Sequence, residues 1–201
     1  TRDLFEGIWP LPNGVLLNSY IVRGTEKTAL IDLVKDWDNA VDAISNQISQ
    51  LGLRLQDIDY LILNHMEPDH TGSLAQLKEK NKKLVIICSK KAIELVREFY
   101  GIEEGVRAVS SGDTLDLGNT VLHFEETPNI HWPETMMTYE PKSKILFSCD
   151  AFGSFGRYEH CFDDELTEEE WALLIPETER YYANIVSSFS SFVLRGIKKL
   201  E

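Results

Sequence analysis

The feature that most constrains this chain is a short apolar run, Asp59-Tyr60-Leu61-Ile62-Leu63-Asn64, followed at once by His65-Met66-Glu67-Pro68-Asp69-His70. A run this short and this apolar reads as a strand buried on both faces. Four potential metal ligands (His65, Glu67, Asp69 and His70) then fall within six residues. They lie on a loop that Pro68 stiffens and Thr71-Gly72 closes. A bend after the strand lets such side chains converge on one point. Imidazole and carboxylate together suit iron, manganese or zinc better than a metal that selects thiolate.

The rest of the chain supplies a frame for that loop. Residues 15–23 and 27–33 read as two strands joined by a turn at Gly24. Residues 38–51 place Val41, Ile44, Ile48 and Leu51 on one helical face, with Gly52 where a helix C-cap falls. Ser73 is a natural cap for the helix after the ligand loop. Residues 84–88 read as another buried strand, followed by a helix to about Tyr100. Residues 106–125 read as short strands with turns at Gly112-Asp113 and Gly118-Asn119. Strands are expected near 136–140 and 144–148, and helices over 167–184 and 189–200. This order predicts α/β layers, sheet packed on sheet with helices outside. With no internal repeat or linker, residues 1–201 read as one domain.

Composition narrows the partners. The formal net charge of -13 repels phosphate backbones, so nucleic acid is not expected. Hydrophobic residues make up 43% and charged residues 26%, and no apolar run is long enough to span a bilayer, so no membrane partner is expected. The opening Thr-Arg-Asp-Leu-Phe lacks the apolar stretch of a signal peptide. Cys88, Cys149 and Cys161 are irregularly spaced and include no close pair, as in a reducing compartment. A cytoplasmic protein is the expectation.

Two further ligands would complete a metal site. His131 lies in the loop Thr127-Pro128-Asn129-Ile130-His131-Trp132-Pro133-Glu134-Thr135. Asp150 ends the apolar strand Lys144-Ile145-Leu146-Phe147-Ser148-Cys149-Asp150, and a carboxylate there can bridge two cations and offset their repulsion. Strand alternation points Cys149 to the other face. Asp32, at a strand end, is placed either to orient a ligand His or to cap a turn. Trp9, Phe152 and Phe155 are candidates to wall the pocket, as well as ordinary core aromatics.

The pattern HxExDH, with a loop His and the strand-end Ser-Cys-Asp-Ala-Phe-Gly, resembles the flavodiiron proteins. The resemblance runs over essentially the whole chain, including Pro10-Leu11-Pro12-Asn13-Gly14-Val15-Leu16-Leu17-Asn18-Ser19-Tyr20, Phe162-Asp163-Asp164-Glu165 and Arg180-Tyr181-Tyr182-Ala183-Asn184-Ile185. It implies an αββα sandwich of the metallo-β-lactamase fold. It also implies two non-haem Fe ions with a bridging oxo or hydroxo group, and reduction of dioxygen to water, of nitric oxide to nitrous oxide, or of both. One iron would take His65, Glu67 and His131, the other Asp69, His70 and a further His, with Asp150 bridging. Tyr181 and Tyr182 would be catalytic, donating a hydrogen bond or proton to a bound oxygen species; helix core is the competing role. Electrons would come from FMN on a flavodoxin-like partner domain or from a rubredoxin-like donor, in a head-to-tail homodimer.

Hydrolases of this fold usually carry HxHxDH and bind zinc. Glu67 at the second position supplies a harder anionic oxygen and favours iron. The family's last His ligand lies beyond the helix that here reaches Leu200-Glu201, and neither His123 nor His160 matches its motif. The expectation is a domain lacking its N-terminal strand and C-terminal portion, with no flavodoxin domain in this chain. Two other readings stand beside the reductase: a flavin-free di-iron oxygen sensor and a zinc hydrolase.

Overall fold

The computed structural model describes residues 4–5, 7–35, 39–160 and 162–200; Cys161 and the first three residues, weighed above, lie outside them. The chain divides into two compact units, Asn18–Cys149 and Thr1–Leu17 with Asp150–Glu201.

In the smaller unit a two-stranded hairpin, β1 (Leu4–Phe5) with β2 (Trp9–Pro10), starts the chain. An apolar cluster of Phe5, Leu11, Phe155, Tyr181, Ile185 and Val186 holds this unit together. Its long helix begins where Thr167 and Glu170 form a reciprocal capping box, which satisfies orphan N–H groups at the first turn.

The larger unit contains two sheets. The first is five-stranded, in the order β3 (Tyr20–Arg23), β4 (Thr28–Ile31), β5 (Tyr60–Leu63), β6 (Val85–Ser89) and β7 (Val106–Val109). Only β3 runs antiparallel to its neighbour; the other pairings are parallel. The second is antiparallel and four-stranded, built from β8 (Thr114–Asp116), β9 (Val121–Glu126), β10 (Met136–Glu140) and β11 (Ile145–Phe147) in the order β11-β10-β9-β8.

Strand β5 is central and buried on both faces, as its unbroken apolar run requires. Ile62 joins Ala29, Ile31 and Ile87 against Leu115, Leu122, Phe124 and Met136 of the second sheet. Leu61 and Leu63 face the other way, into helices. These are α1 (Ala40–Gln50), α3 (Leu74–Lys80) and α4 (Lys90–Tyr100), with α2 (Pro68–Thr71) a single turn inside the ligand loop. Leu61, Ile62 and Leu63 are at most 1% exposed, and burial of each such side chain contributes about 1.5–3 kcal/mol. Within this unit the expected packing of sheet on sheet is present, with helices on the outer face of the first sheet.

Local details differ from expectation. Leu51 was placed on the buried helix face, yet it follows the last turn of α1 and is 58% exposed. Gly52 takes the left-handed conformation (φ 71°) and closes the helix as expected. Ser73 precedes α3 but makes no side-chain cap; its hydroxyl donates to the carbonyl of Val34 instead. In the smaller unit α5 (Glu168–Tyr181) stops short of residue 184 and passes through a π-helical turn, Tyr182–Val186, before α6 (Ser190–Leu200).

Candidate metal centre

Parallel strands in an α/β sheet present their carboxyl ends on one edge, where sites collect. Here Asp32 follows β4, His65 follows β5, and Ser89 ends β6. The loop from β9 to β10 carries His131. The ligand loop is more ordered than a plain bend: Pro68 opens the turn α2, and Thr71 Oγ1 lies 3.2 Å and 3.0 Å from the carbonyls of Met66 and Glu67 and 2.7 Å from the hydroxyl of Tyr100.

Three expected ligands meet. Glu67 Oε2 lies 3.1 Å from His65 Nε2 and 3.0 Å from His131 Nε2. His65 is fully buried and Glu67 nearly so. Burial pushes the Glu67 carboxyl up, but hydrogen bonds from His131 and His65 outweigh it and bring it down to about 2. Trp132 sets its ring edge-on to His65 at 5.2 Å and packs on the helix-side core, which anchors the His131 loop.

The other nitrogen of His65 decides what this arrangement can hold. Nδ1 lies 2.9 Å from Oε1 of Glu134, and the N–H of Met66 donates to that same oxygen at 3.0 Å. A neutral ring that donates from Nδ1 has only a lone pair at Nε2. That lone pair then faces a carboxylate oxygen, with a second imidazole on the other side. Either His65 is a buried imidazolium between two carboxylates, or a cation takes the place of the Nε2 proton. A charged ring with no exposure is costly to desolvate. A metal held by His65, Glu67 and His131 matches the donor set without that cost.

Asp69 and His70 sit on α2, and His70 turns toward a second group. Its Nδ1 lies 3.8 Å from Asp32 Oδ2 and 3.9 Å from Cys149 Sγ, while its Nε2 lies 3.8 Å from Asp69 Oδ2. The alternation argument for Cys149 does not apply. Strand β11 ends at Phe147, and Cys149 has left-handed backbone (φ 56°), so its thiol comes beside His70. Asp32 lies near His70 but beyond hydrogen-bond length; it accepts a 2.8 Å bond from the Asn64 N–H. Asp150 is buried and is the first residue of the smaller unit after the strand that leads to it.

Tyr181 ends α5 and is 5% exposed, its ring 5.1 Å from that of Phe155; Tyr182 is 41% exposed. Phe155 is core in its unit, whereas Phe152 is 67% exposed. Sequence reasoning passed over Glu134 and Asn64. Asn64 binds across both sheets, donating to the Phe147 carbonyl and accepting from Thr138 Oγ1. An Asn directly after an apolar strand and a Glu three residues after the candidate ligand His131 were the available signals.

Known proteins resemble this chain over almost its whole length. Residues 15–199 match the model of the family described as ODP family beta lactamase. A variant of the flavo di-iron protein of Thermotoga maritima superposes with a TM-score of 0.89 at 31% identity, covering 100% of this chain and 48% of that one. The chain belongs to the flavodiiron family. Its fold is accordingly the metallo-β-lactamase-like α/β sandwich. Another flavodiiron relative of known structure, the rubredoxin oxygen:oxidoreductase of Desulfovibrio gigas, superposes with a TM-score of 0.88 at 30% identity, covering 100% of this chain and 48% of that one. The anaerobic nitric oxide reductase flavorubredoxin of Pectobacterium carotovorum subsp. carotovorum is 40% identical over 201 residues, 99% of this chain and 39% of that protein. The flavodiiron chain thus spans about two fifths of the length of such curated relatives. Among the described residues no helix is long and apolar enough to cross a membrane.

Proposed function

We propose that this chain forms the di-iron domain of a flavodiiron enzyme that reduces nitric oxide, dioxygen or both, with electrons supplied by a flavin or rubredoxin-like partner. The observation that carries the reading is the placement of one Glu67 oxygen between two imidazole Nε2 atoms. His65, Glu67 and His131 would hold one iron. Asp69, His70 and Asp150 would complete the set for a second; the family motif supports these three assignments. A bound iron pair supplies electron storage and Lewis acidity toward a diatomic substrate.

The chain's own residues do the rest. Glu67 contributes the anionic oxygen that favours iron over zinc. Burial of His65 and the edge of Trp132 exclude water from that side of the site. Tyr181 and Tyr182 are assigned as hydrogen-bond or proton donors on the matching Arg180–Ile185 segment alone. FMN lies on a partner domain, and the relatives named for nitric oxide and for oxygen point to these two substrates. A homodimer is the proposed assembly.

Turnover by the whole protein tests this. Given a reduced flavin or rubredoxin donor under anaerobic conditions, it should consume nitric oxide or added oxygen, and His131→Ala should abolish consumption. Reversible oxygen binding without turnover would point to a sensor, and zinc-dependent ester or lactam hydrolysis to a hydrolase.

A further inference from the structure

Glu134 lies outside the ligand set, yet it contacts one ligand loop and belongs to the loop that carries His131. It is 2% exposed. Oε1 meets His65 Nδ1 at 2.9 Å and accepts the Met66 N–H at 3.0 Å. Oε2 is buried and has no hydrogen-bond partner among the described residues. The backbone of Glu134 is fixed too: its carbonyl accepts a 2.7 Å bond from Ser89 Oγ, the residue that caps the N-terminus of α4. Glu134 is therefore anchored from behind by α4 and reaches forward to the strand-end ligand, on the same short loop that carries His131.

We propose that Glu134 is a positioning residue of the metal centre. Its carboxylate fixes the proton of His65 on Nδ1, aims Nε2 as the metal donor, strengthens that donor through its negative charge, and ties the His131 loop to the His65–His70 loop. The inference rests on reading the site as a metal centre. A carboxylate on the far nitrogen of a ligating imidazole sets both tautomer and orientation, and its loss typically weakens metal binding by about 10–100-fold. A plain structural clamp would need only an acceptor for the Met66 N–H. It would not depend on which His65 nitrogen carries the proton.

The test uses the whole protein with zinc as a diamagnetic, redox-silent probe. Zinc affinity is read by chelator competition, and the His65 proton position by imidazole nitrogen NMR of the zinc-loaded form. The zinc-loaded unaltered protein should show a single Nδ1–H form of His65. Glu134→Met should bind zinc roughly 10–100-fold more weakly and lose the single form. Glu134→Gln keeps an acceptor but not the charge, so it should keep the Nδ1–H form and bind zinc several-fold more weakly. Glu140→Gln is the control, a buried carboxylate that accepts from the Lys142 and Ser143 N–H groups, and should bind zinc as the unaltered protein does. His65 protonated at Nε2 in the zinc-loaded unaltered protein would overturn the proposal, as would zinc affinity of Glu134→Met within about twofold of the unaltered protein. If Glu134→Met does not fold, unaltered affinity of Glu134→Gln overturns it. If the unaltered protein binds neither zinc nor iron, the metal-centre reading fails first and takes this proposal with it.

Discussion

Glu67 and His131, far apart in the chain, meet with 3.0 Å between Oε2 and Nε2. His131 owes that position to a loop held by other groups: the Asn129 N–H donates to the Trp132 carbonyl, the Thr127 N–H to the Thr135 carbonyl, and Trp132 packs on the core. His131→Ala should therefore leave the fold intact. Metal affinity should fall by roughly 100-fold or more, beyond what loss of a supporting residue costs. Metal content set against circular dichroism checks this. Unchanged metal content with a stability change under ~0.5 kcal/mol would make His131 a surface residue.

The next prediction separates neighbours. Asp150→Asn loses the negative charge and an acceptor, whereas Cys149→Ser alters only a thiol lying 3.9 Å from His70 Nδ1. Asp150→Asn should release much more metal than Cys149→Ser. Loss of metal confined to Cys149→Ser would assign the bridging role to the wrong residue. Elemental analysis of the two variants side by side reads the difference.

The turn at Gly24 is fixed by close approach. A Cβ there would collide with the carbonyl of Leu117, the group that also accepts from the Glu26 and Lys27 N–H groups. Backbone cannot yield as a flexible side chain does. Gly24→Ala should cost ~1–3 kcal/mol or more, the usual range for overpacking. Denaturant unfolding measures it, and a cost near zero would show that the β3–β4 turn can shift away.

Acid should loosen α5 through Glu170. Its carboxylate accepts from the Thr167 and Glu159 N–H groups, and these bonds lower it from 4.5 to about 2. A depressed carboxyl stabilises the folded state fully above its unfolded value and loses that contribution as pH falls through the folded value. The stability difference between the unaltered protein and Glu170→Gln should hold above about pH 4.5 and fade toward pH 2. Unfolding at a series of pH values reads it; a difference independent of pH would remove the charge from the cap.

Much of this was legible in the residues, and the exceptions have physical causes. Strand β5 could be read because a strand buried on both faces must be apolar throughout, and the ligand loop because few other roles need His, Glu, Asp and His so close together. Helix α1 followed from Val41, Ile44 and Ile48. Glu134 was missed because a Glu between two turns of a proline-rich loop looks like solvated surface; only the fold brings it under His65. Cys149 was misplaced because alternation holds only while the strand lasts, and β11 ends at Phe147. Helix α5 was drawn too long because the π-helical turn after Tyr181 keeps a helical pattern of apolar residues at Ile185 and Val186.

The central claim is that Glu67, set between His65 and His131, selects iron for a paired site. Metal analysis of the whole protein, purified without oxygen, tests it most directly. The account predicts about two iron atoms per domain with little zinc, the pair expected of a two-metal site. Zinc as the dominant metal, with iron unable to restore oxygen or nitric oxide consumption, would contradict it.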